Sequence, residues 1–362
     1  MKRSLLPIVA AFLLSVHSYG ASMETPTFER STFFFSGRWT HQSDKSTAST
    51  PAVMVQFNAQ AKDLYFEIEG QSRWRLDQDG KPIAILNVDE RKTQQIKVDN
   101  KKHLYRLIKI SESNPGSISL YRISTDKGGT ILEPPKSSNR RIEFIGDSYT
   151  VGYGVEGKVS DPDDKVFITT NTSKSYAFLL ADSYKADFQI NAFSGRGLVR
   201  NYDNIVPDWD IERLYQYRVP GEAPSLVTGT DNPAPLLWKF DDFHPQAIVL
   251  FIGINDFQGN PPYANKEEFK KAYSNLLDAL RSAHPGVKFL LLSTKVWPND
   301  DLTPTVKAIF EEQKANKYDD IEFLEVHTEN TALHGHPNEN SQKELANTIR
   351  PIIGRLVRWL AR

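Results

Sequence analysis

The chain is 362 residues long, enough for about two domains that each bury a core, which excludes a peptide or a lone small module. Lys plus Arg number 44 against 45 Asp plus Glu; the net charge of -1 removes any broad electrostatic drive toward nucleic acid or anionic membrane, so partners must be chosen by a local site. With no Cys there is no disulfide framework, thiolate nucleophile, Cys-ligated zinc or iron–sulfur cluster, and the composition suits an oxidising compartment.

Lys2 and Arg3 precede an apolar run from Leu5 to Val16, followed by the small residues Ser18, Gly20, Ala21 and Ser22. This pattern reads as a secretory signal peptide over residues 1–22. The run is too short for a hydrocarbon core of about 30 Å, and no Cys follows it to carry a lipid anchor. No later stretch could span a membrane, so the expected location is secreted or periplasmic, with no membrane partner after cleavage.

Residues 23–135 alternate short β-rich runs with turn residues: Ala52 to Phe57, Asp63 to Glu69, Pro82 to Val88, His103 to Ile110 and Ser117 to Ile123. Leu64, Phe66 and Ile68 repeat with period two, and Asp79-Gly80 and Asp99-Asn100 punctuate the runs. Short strands at this spacing predict a jelly-roll-like β-sandwich. The polar, Pro-containing stretch Glu133 to Arg140 marks the boundary.

From residue 136 to 362 the period changes. Apolar strands at Ile142 to Ile145, Phe188 to Ala192, Ala247 to Ile252, Phe289 to Leu292 and Ile321 to Val326 alternate with helical segments. The helices are expected at Ser175 to Tyr184, Lys266 to His284, Pro304 to Asn316 and Gln342 to Leu360, the last kinked or split by Pro351. This order predicts a three-layer α/β/α domain with a parallel sheet, whose ligands gather at the carboxyl ends of the strands.

The chemistry sits after those strands. Gly146-Asp147-Ser148-Tyr149-Thr150 places a hydroxyl nucleophile, Ser148, on a tight turn after the first. Ser194-Gly195-Arg196-Gly197 follows the second, where Gly195 leaves a backbone N–H accessible to a developing oxyanion. Gly253-Ile254-Asn255-Asp256 follows the third and offers the Asn255 amide to the same oxygen. His336, followed by Pro337 and a helix, returns to that edge as a base for the Ser148 proton. Each feature alone has an ordinary explanation; together, at four strand ends, they point to an ester-cleaving site without a cofactor or metal.

With Ser148, Gly195, Asn255 and His336 in that order, the chain resembles the SGNH (GDSL-like) hydrolase superfamily. The preceding β-domain, the stretch Ser194 to Tyr202 and the pattern Tyr215-x-x-Arg218-x-x-Pro220-Gly221 look more narrowly like carbohydrate esterase family two. That resemblance implies a secreted serine esterase that removes O-acetyl groups from plant polysaccharides such as acetylated xylan or glucomannan. The chain departs from the superfamily at one place: the Asp usual three residues before the His is Leu333. The expected substitute is a backbone carbonyl in a Ser–His dyad, with Glu329 as a second candidate.

Other features weigh less. Gly152 to Gly157 matches G-x-G-x-x-G, but it starts several residues past its strand, and Asp161, Asp163 and Asp164 follow where a helix N-terminus should open. His327, His334 and His336 lack an Asp at zinc-ligand spacing. Trp297 follows the fourth strand and is expected beside the site, where its ring could stack on a sugar face. Two alternatives stay open: a carbohydrate-binding protein with a degenerate hydrolase domain, and an esterase acting on O-acetylated peptidoglycan or on a lipid ester.

Overall fold

A computed structural model describes residues 30–359 apart from 114–115, 207–208 and 223–235. The expected signal peptide lies outside the described residues. Strands β1 (Phe34–Ser36), β2 (Thr40–His41), β3 (Ser46–Ala48), β4 (Met54–Gln60), β5 (Asp63–Glu69) and β6 (Ser72–Gln78) are followed by β7 (Lys81–Val88), β8 (Lys92–Lys97), β9 (Lys102–Lys109), β10 (Ile118–Thr125) and β11 (Thr130–Leu132). They form two antiparallel sheets, one ordered β1-β4-β9-β6-β7 with β11 beside β4, the other β2-β3-β10-β5-β8.

The period-two pattern explains the packing. Leu64, Phe66 and Ile68 of β5 turn inward, as do Val55, Phe57 and Ala59 of β4. Their rings meet across the two sheets, with the Phe57 and Phe66 centroids 6.3 Å apart, so the domain is a β-sandwich with its core between the sheets. Asp79 and Gly80 form a two-residue hairpin loop between Gln78 and Lys81, both at positive φ, as a type I′ turn requires.

Strands β12 (Arg141–Gly146), β13 (Asp187–Ala192), β14 (Ala247–Phe251), β15 (Lys288–Thr294) and β16 (Ile321–Val326) make a parallel sheet ordered β13-β12-β14-β15-β16. It carries helices α1 (Ser148–Val151), α2 (Val166–Thr169), α3 (Tyr176–Tyr184), α4 (Ile211–Tyr215), α5 (Ile254–Phe257), α6 (Lys266–Ala283), α7 (Leu302–Ala315) and α8 (Glu339–Leu356). Strands β12 to β15 are buried on both faces, which is why they read as mainly apolar runs, while the edge strand β16 is partly exposed. The register pairs Gly146 with both Ala192 and Phe251, so the carboxyl ends of three neighbouring strands stand level.

One expectation is corrected: Pro351 does not split the last helix, which runs continuously from Glu339 to Leu356. Leu345, Ile349 and Ile353 recur every four residues on its buried face, and this packing holds the helix across the missing N–H.

Polar contacts seal the junction between the two sheet systems. Arg38 is fully buried, donates to the Gln189 side chain and to the carbonyls of Tyr215 and Tyr217, and pairs with Glu143 of β12 at 3.4 Å. Its guanidinium stacks on Tyr215 and Trp238, 4.4 and 4.6 Å from the ring centroids. Glu143 also accepts from Tyr215 Oη and Asn191 Nδ2, so both charges are compensated where water cannot reach. The Tyr215-to-Gly221 stretch singled out in the sequence belongs to this seal: Arg218 pairs with Asp242, and Gly221 N donates to Ser49 Oγ.

Candidate active site

Three of the expected residues come from the level strand ends. Ser148 lies two residues past β12 as the first residue of α1. Asp147 caps that helix by accepting from Tyr149 N at 3.0 Å, which leaves the Ser148 N–H at the mouth of the turn. Burial pushes the Asp147 carboxyl up to about 8. Gly195 follows β13 with φ +75 and open space where a Cβ would stand, so its conformation, rather than crowding, calls for glycine. Neither Ser148 N nor Gly195 N has a backbone partner among the described residues.

Asn255 follows β14 inside α5 and is buried. One Nδ2 hydrogen goes to Arg196 O at 2.9 Å; the other has only Asp147 Oδ2 at 3.4 Å, the far end of hydrogen-bonding range. The adjacent Asp256 ties this turn to the previous one. Its carboxylate accepts the N–H groups of Leu198 and Val199 at 2.8 Å and Arg200 at 3.0 Å. Arg200 returns the link by donating to the carbonyls of Asn255, Gln258 and Asn260. The turns bearing Gly195 and Asn255 are therefore one braced unit.

The fourth residue arrives from beyond β16. His336 Nε2 lies 2.9 Å from Ser148 Oγ, and Nδ1 lies 3.0 Å from Leu333 O. A carbonyl only accepts, so Nδ1 carries the proton and Nε2 is the bare nitrogen that receives the serine hydroxyl. The same Leu333 carbonyl accepts from His336 N at 3.2 Å. The missing carboxylate is thus replaced by the main chain of the residue that stands in its place. Glu329, the other candidate, is bonded to Asn338 instead. Burial without an anionic partner lowers the His336 pKa to about 4, so the imidazole is neutral at pH 7.

Two glycines of the G-x-G-x-x-G match, Gly154 and Gly157, lie against this turn. At Gly154, φ +56, a Cβ would come within 2.5 Å of Leu333 Cβ, and Gly154 O accepts from Leu333 N. The neighbouring Tyr153 lays its ring over His336, centroids 4.4 Å apart. Tyr153 Oη donates to His334 Nδ1, whose Nε2 donates to Asp163 Oδ1, each at 2.9 Å. His334 is therefore engaged in a hydrogen-bonded chain, and no group of three or more metal-ligating side chains occurs among the described residues.

Ser148, Gly195, Asn255 and His336 all line one cavity of about 360 Å³, with Tyr153 and Tyr202 among its walls. Trp297 is not one of those walls: it stands 76 % exposed beyond the carboxyl end of β15. Sequence reasoning passed over Tyr153, Asp163, Arg200 and the bracing role of Asp256. The Asp directly after Asn255 and the Arg within Ser194 to Tyr202 were the available signals.

Residues 144–321 match the GDSL-like lipase/acylhydrolase family, a span that includes Ser148, Gly195 and Asn255 and ends before His336. Residues 15–127 match a family described as thioredoxin-like C-terminal domain. The chain is 29% identical over 364 residues to an acetylxylan esterase / glucomannan deacetylase of Cellvibrio japonicus, covering 96% of each. It is 28% identical over 284 residues to a cellulase/esterase of Acetivibrio thermocellus, covering 76% of this chain and 32% of that protein. Among solved structures, a family two carbohydrate esterase from Clostridium thermocellum in complex with cellohexaose superposes with a TM-score of 0.80 at 24% identity, covering 91% of this chain and 100% of that one. A family two carbohydrate esterase from Cellvibrio japonicus superposes with a TM-score of 0.77 at 20% identity, covering 91% and 96%. A β-sandwich joined to a parallel-sheet domain, with a GDSL-like (SGNH) hydrolase match over residues 144–321 of the second, gives the chain the two-domain fold seen in the family two carbohydrate esterases.

Proposed function

We propose that the chain is an exported carbohydrate esterase that removes O-acetyl groups from plant polysaccharides, acetylated xylan or glucomannan, through an acetyl-serine intermediate. The observation that carries this reading is the 2.9 Å contact between Ser148 Oγ and a His336 whose tautomer is fixed for proton acceptance. Support for the substrate class comes from the relatives named above, and support for export from the pattern of residues 1–22. In the proposed division of labour the sandwich ends at residue 135 and the hydrolase domain begins at 136.

In this mechanism Ser148 Oγ attacks the acetyl carbonyl as His336 Nε2 takes its proton. The N–H groups of Ser148 and Gly195 and the second Nδ2 hydrogen of Asn255 receive the oxyanion. His336 then protonates the leaving sugar hydroxyl, and water attacks the acetyl-serine with the imidazole again as base. No step needs a cofactor or metal. Trp297, exposed at the same sheet edge, would offer a stacking face to sugar units farther from the acetyl group.

The deciding experiment measures acetate release from acetylated xylan, glucomannan, cellobiose and peptidoglycan fragments beside the Ser148→Ala variant. Release from none of them, with polysaccharide affinity retained, would make the protein a binder instead. Release confined to the peptidoglycan fragments would move the substrate class.

The low pKa of His336 sets an expected pH profile. The base works neutral, and protonation sets in only as pH falls through about 4. For p-nitrophenyl acetate, kcat/KM should therefore stay level from pH 7 to about 5 and be halved near 4. An acid limb centred at the ordinary histidine value of about 6.5 would contradict the environment assigned to His336.

Gly154→Ala gives a second check on the turn. The added methyl meets the Leu333 side chain at a strained φ, so the Leu333–His336 turn must shift. We expect kcat to fall about ten- to a hundred-fold, the scale of a misplacement of about 1 Å. An unchanged kcat would show that the turn yields without carrying the imidazole.

A further inference from the structure

The β-sandwich reaches the oxyanion side of the site through one short segment. After β9, residues 110–113 leave the sandwich and pass under the turn that follows β13. This segment is held from both sides: Ile110 N donates to Arg73 O, Ser111 Oγ accepts from Arg73 N, and Ile110 O accepts from Thr172 N. Lys109, buried at the end of β9, aims its Nζ at the carbonyls of Ser49, Ser111 and Glu112, so three hydrogen bonds fix the main chain around Glu112. From this base two side chains cross to the hydrolase domain. Ser113 Oγ donates to Ala192 O at 3.1 Å, at the last residue of β13. The Glu112 carboxylate accepts the hydroxyl of Ser194, and the backbone N–H groups of Ser113 and Ser194 also face it.

Ser194 is joined directly to Gly195. The peptide between them carries the Gly195 N–H, and Gly195 sits at φ +75 with open space where a Cβ would stand, in a turn held by Arg196 N to Phe193 O at 3.2 Å and Tyr202 N to Gly195 O at 2.9 Å. No side chain at Gly195 helps to hold that peptide, so the direction of its N–H rests on this turn and on what grips Ser194. From this juxtaposition we infer that Glu112 of the β-sandwich is a positioning residue: by gripping Ser194 it fixes the Ser194–Gly195 peptide with its N–H toward the oxyanion. The inference rests on the esterase reading above. It gives the N-terminal domain a part in turnover that requires no sugar-binding face of its own. Burial raises the Glu112 carboxyl pKa while the Ser194 hydroxyl, Lys109 and the two N–H groups lower it; Oε1 accepts the Ser194 hydroxyl with or without the charge, and the hold is worth more away from water.

The test compares Glu112→Ala, Glu112→Gln, Ser194→Ala and the Glu112→Ala/Ser194→Ala double variant on p-nitrophenyl acetate, with Ser148→Ala as reference and thermal unfolding followed for each. Glu112→Ala and Ser194→Ala should each lower kcat about ten- to a hundred-fold with KM changed less than about threefold, because a misdirected donor is felt in the transition state. The double variant should be no slower than the worse single one, since both remove the same grip. Glu112→Gln, whose amide oxygen still accepts the Ser194 hydroxyl, should recover most of the rate. If Glu112→Ala does not fold, Ser194→Ala, which removes one hydroxyl, decides alone. Wild-type kcat in Ser194→Ala, losses that multiply in the double variant, or losses carried in KM would each overturn the inference. Turnover by Ser148→Ala would instead bring down the esterase reading itself, so the two failures are told apart.

Discussion

Replacing Ser148 by Ala is expected to lower acetyl-ester turnover about a million-fold, His336→Ala by a similar factor, and the double variant by no more than either, the pattern of groups that act as one unit. The geometry requires this coupling. Ser148 Oγ is a poor nucleophile until its proton is taken, and the group placed to take it is His336 Nε2 at 2.9 Å. Either change alone removes the activated oxygen, so nothing is left for the second to remove. Acetate release and p-nitrophenolate release measure it equally well. Losses that multiplied would mean that serine and imidazole work independently, and the 2.9 Å contact would lose its mechanistic meaning.

Asn255→Ala is expected to lower kcat about a hundred- to a thousand-fold, the scale for one lost oxyanion donor, with KM little changed. In the free enzyme one Nδ2 hydrogen is committed to Arg196 O and the other has only the long Asp147 contact. The second hydrogen gains a strong acceptor only when the carbonyl oxygen becomes tetrahedral and charged. An interaction made in the transition state and not before acts on kcat. Since Asn255 also supports Arg196, the variant should be compared in thermal stability with the native chain. An unchanged rate would take the Asn255 amide out of the oxyanion hole.

What the sequence disclosed follows from what generates its signals. Strands buried on both faces are rich in Ile, Val, Leu and Phe, and β12 to β15 were legible for that reason; the partly exposed β16 was legible through Ile321, Phe323, Leu324 and Val326. Strand β6, Ser-Arg-Trp-Arg-Leu-Asp-Gln, was not, because Arg73 and Asp77 are buried alongside Trp74 and Leu76 and blur the alternation. Those charges are satisfied largely from off the strand: Arg73 donates to the carbonyls of Ile168 and Thr170, and Asp77 pairs with Arg106 as well as with its strand neighbour Arg75. Strand β8, Lys-Thr-Gln-Gln-Ile-Lys, has almost no apolar content to betray it.

The site was legible to the same extent. Ser148, Gly195 and Asn255 sit just past strand ends, where position in sequence nearly fixes position in space. Trp297 follows a strand by the same rule but does not reach the cavity, because a loop's direction is not written in the apolar pattern. Glu112 and Arg38 were invisible as partners of the hydrolase domain, since Glu112 and Ser194 are 82 positions apart and nothing local marks the pair.

The Leu333 carbonyl that aims the imidazole has one more implication. Every amino acid brings the same peptide oxygen, so the director of His336 survives any replacement at position 333 that keeps the turn's shape. What it does not supply is a counter-ion. In the proposed mechanism, when the imidazole becomes cationic during acyl transfer only a dipole answers it, and the expected ceiling on turnover is lower than a carboxylate would set. The aim of His336 therefore depends on the main-chain turn from Ala332 to His336 and not on the identity of any one side chain in it.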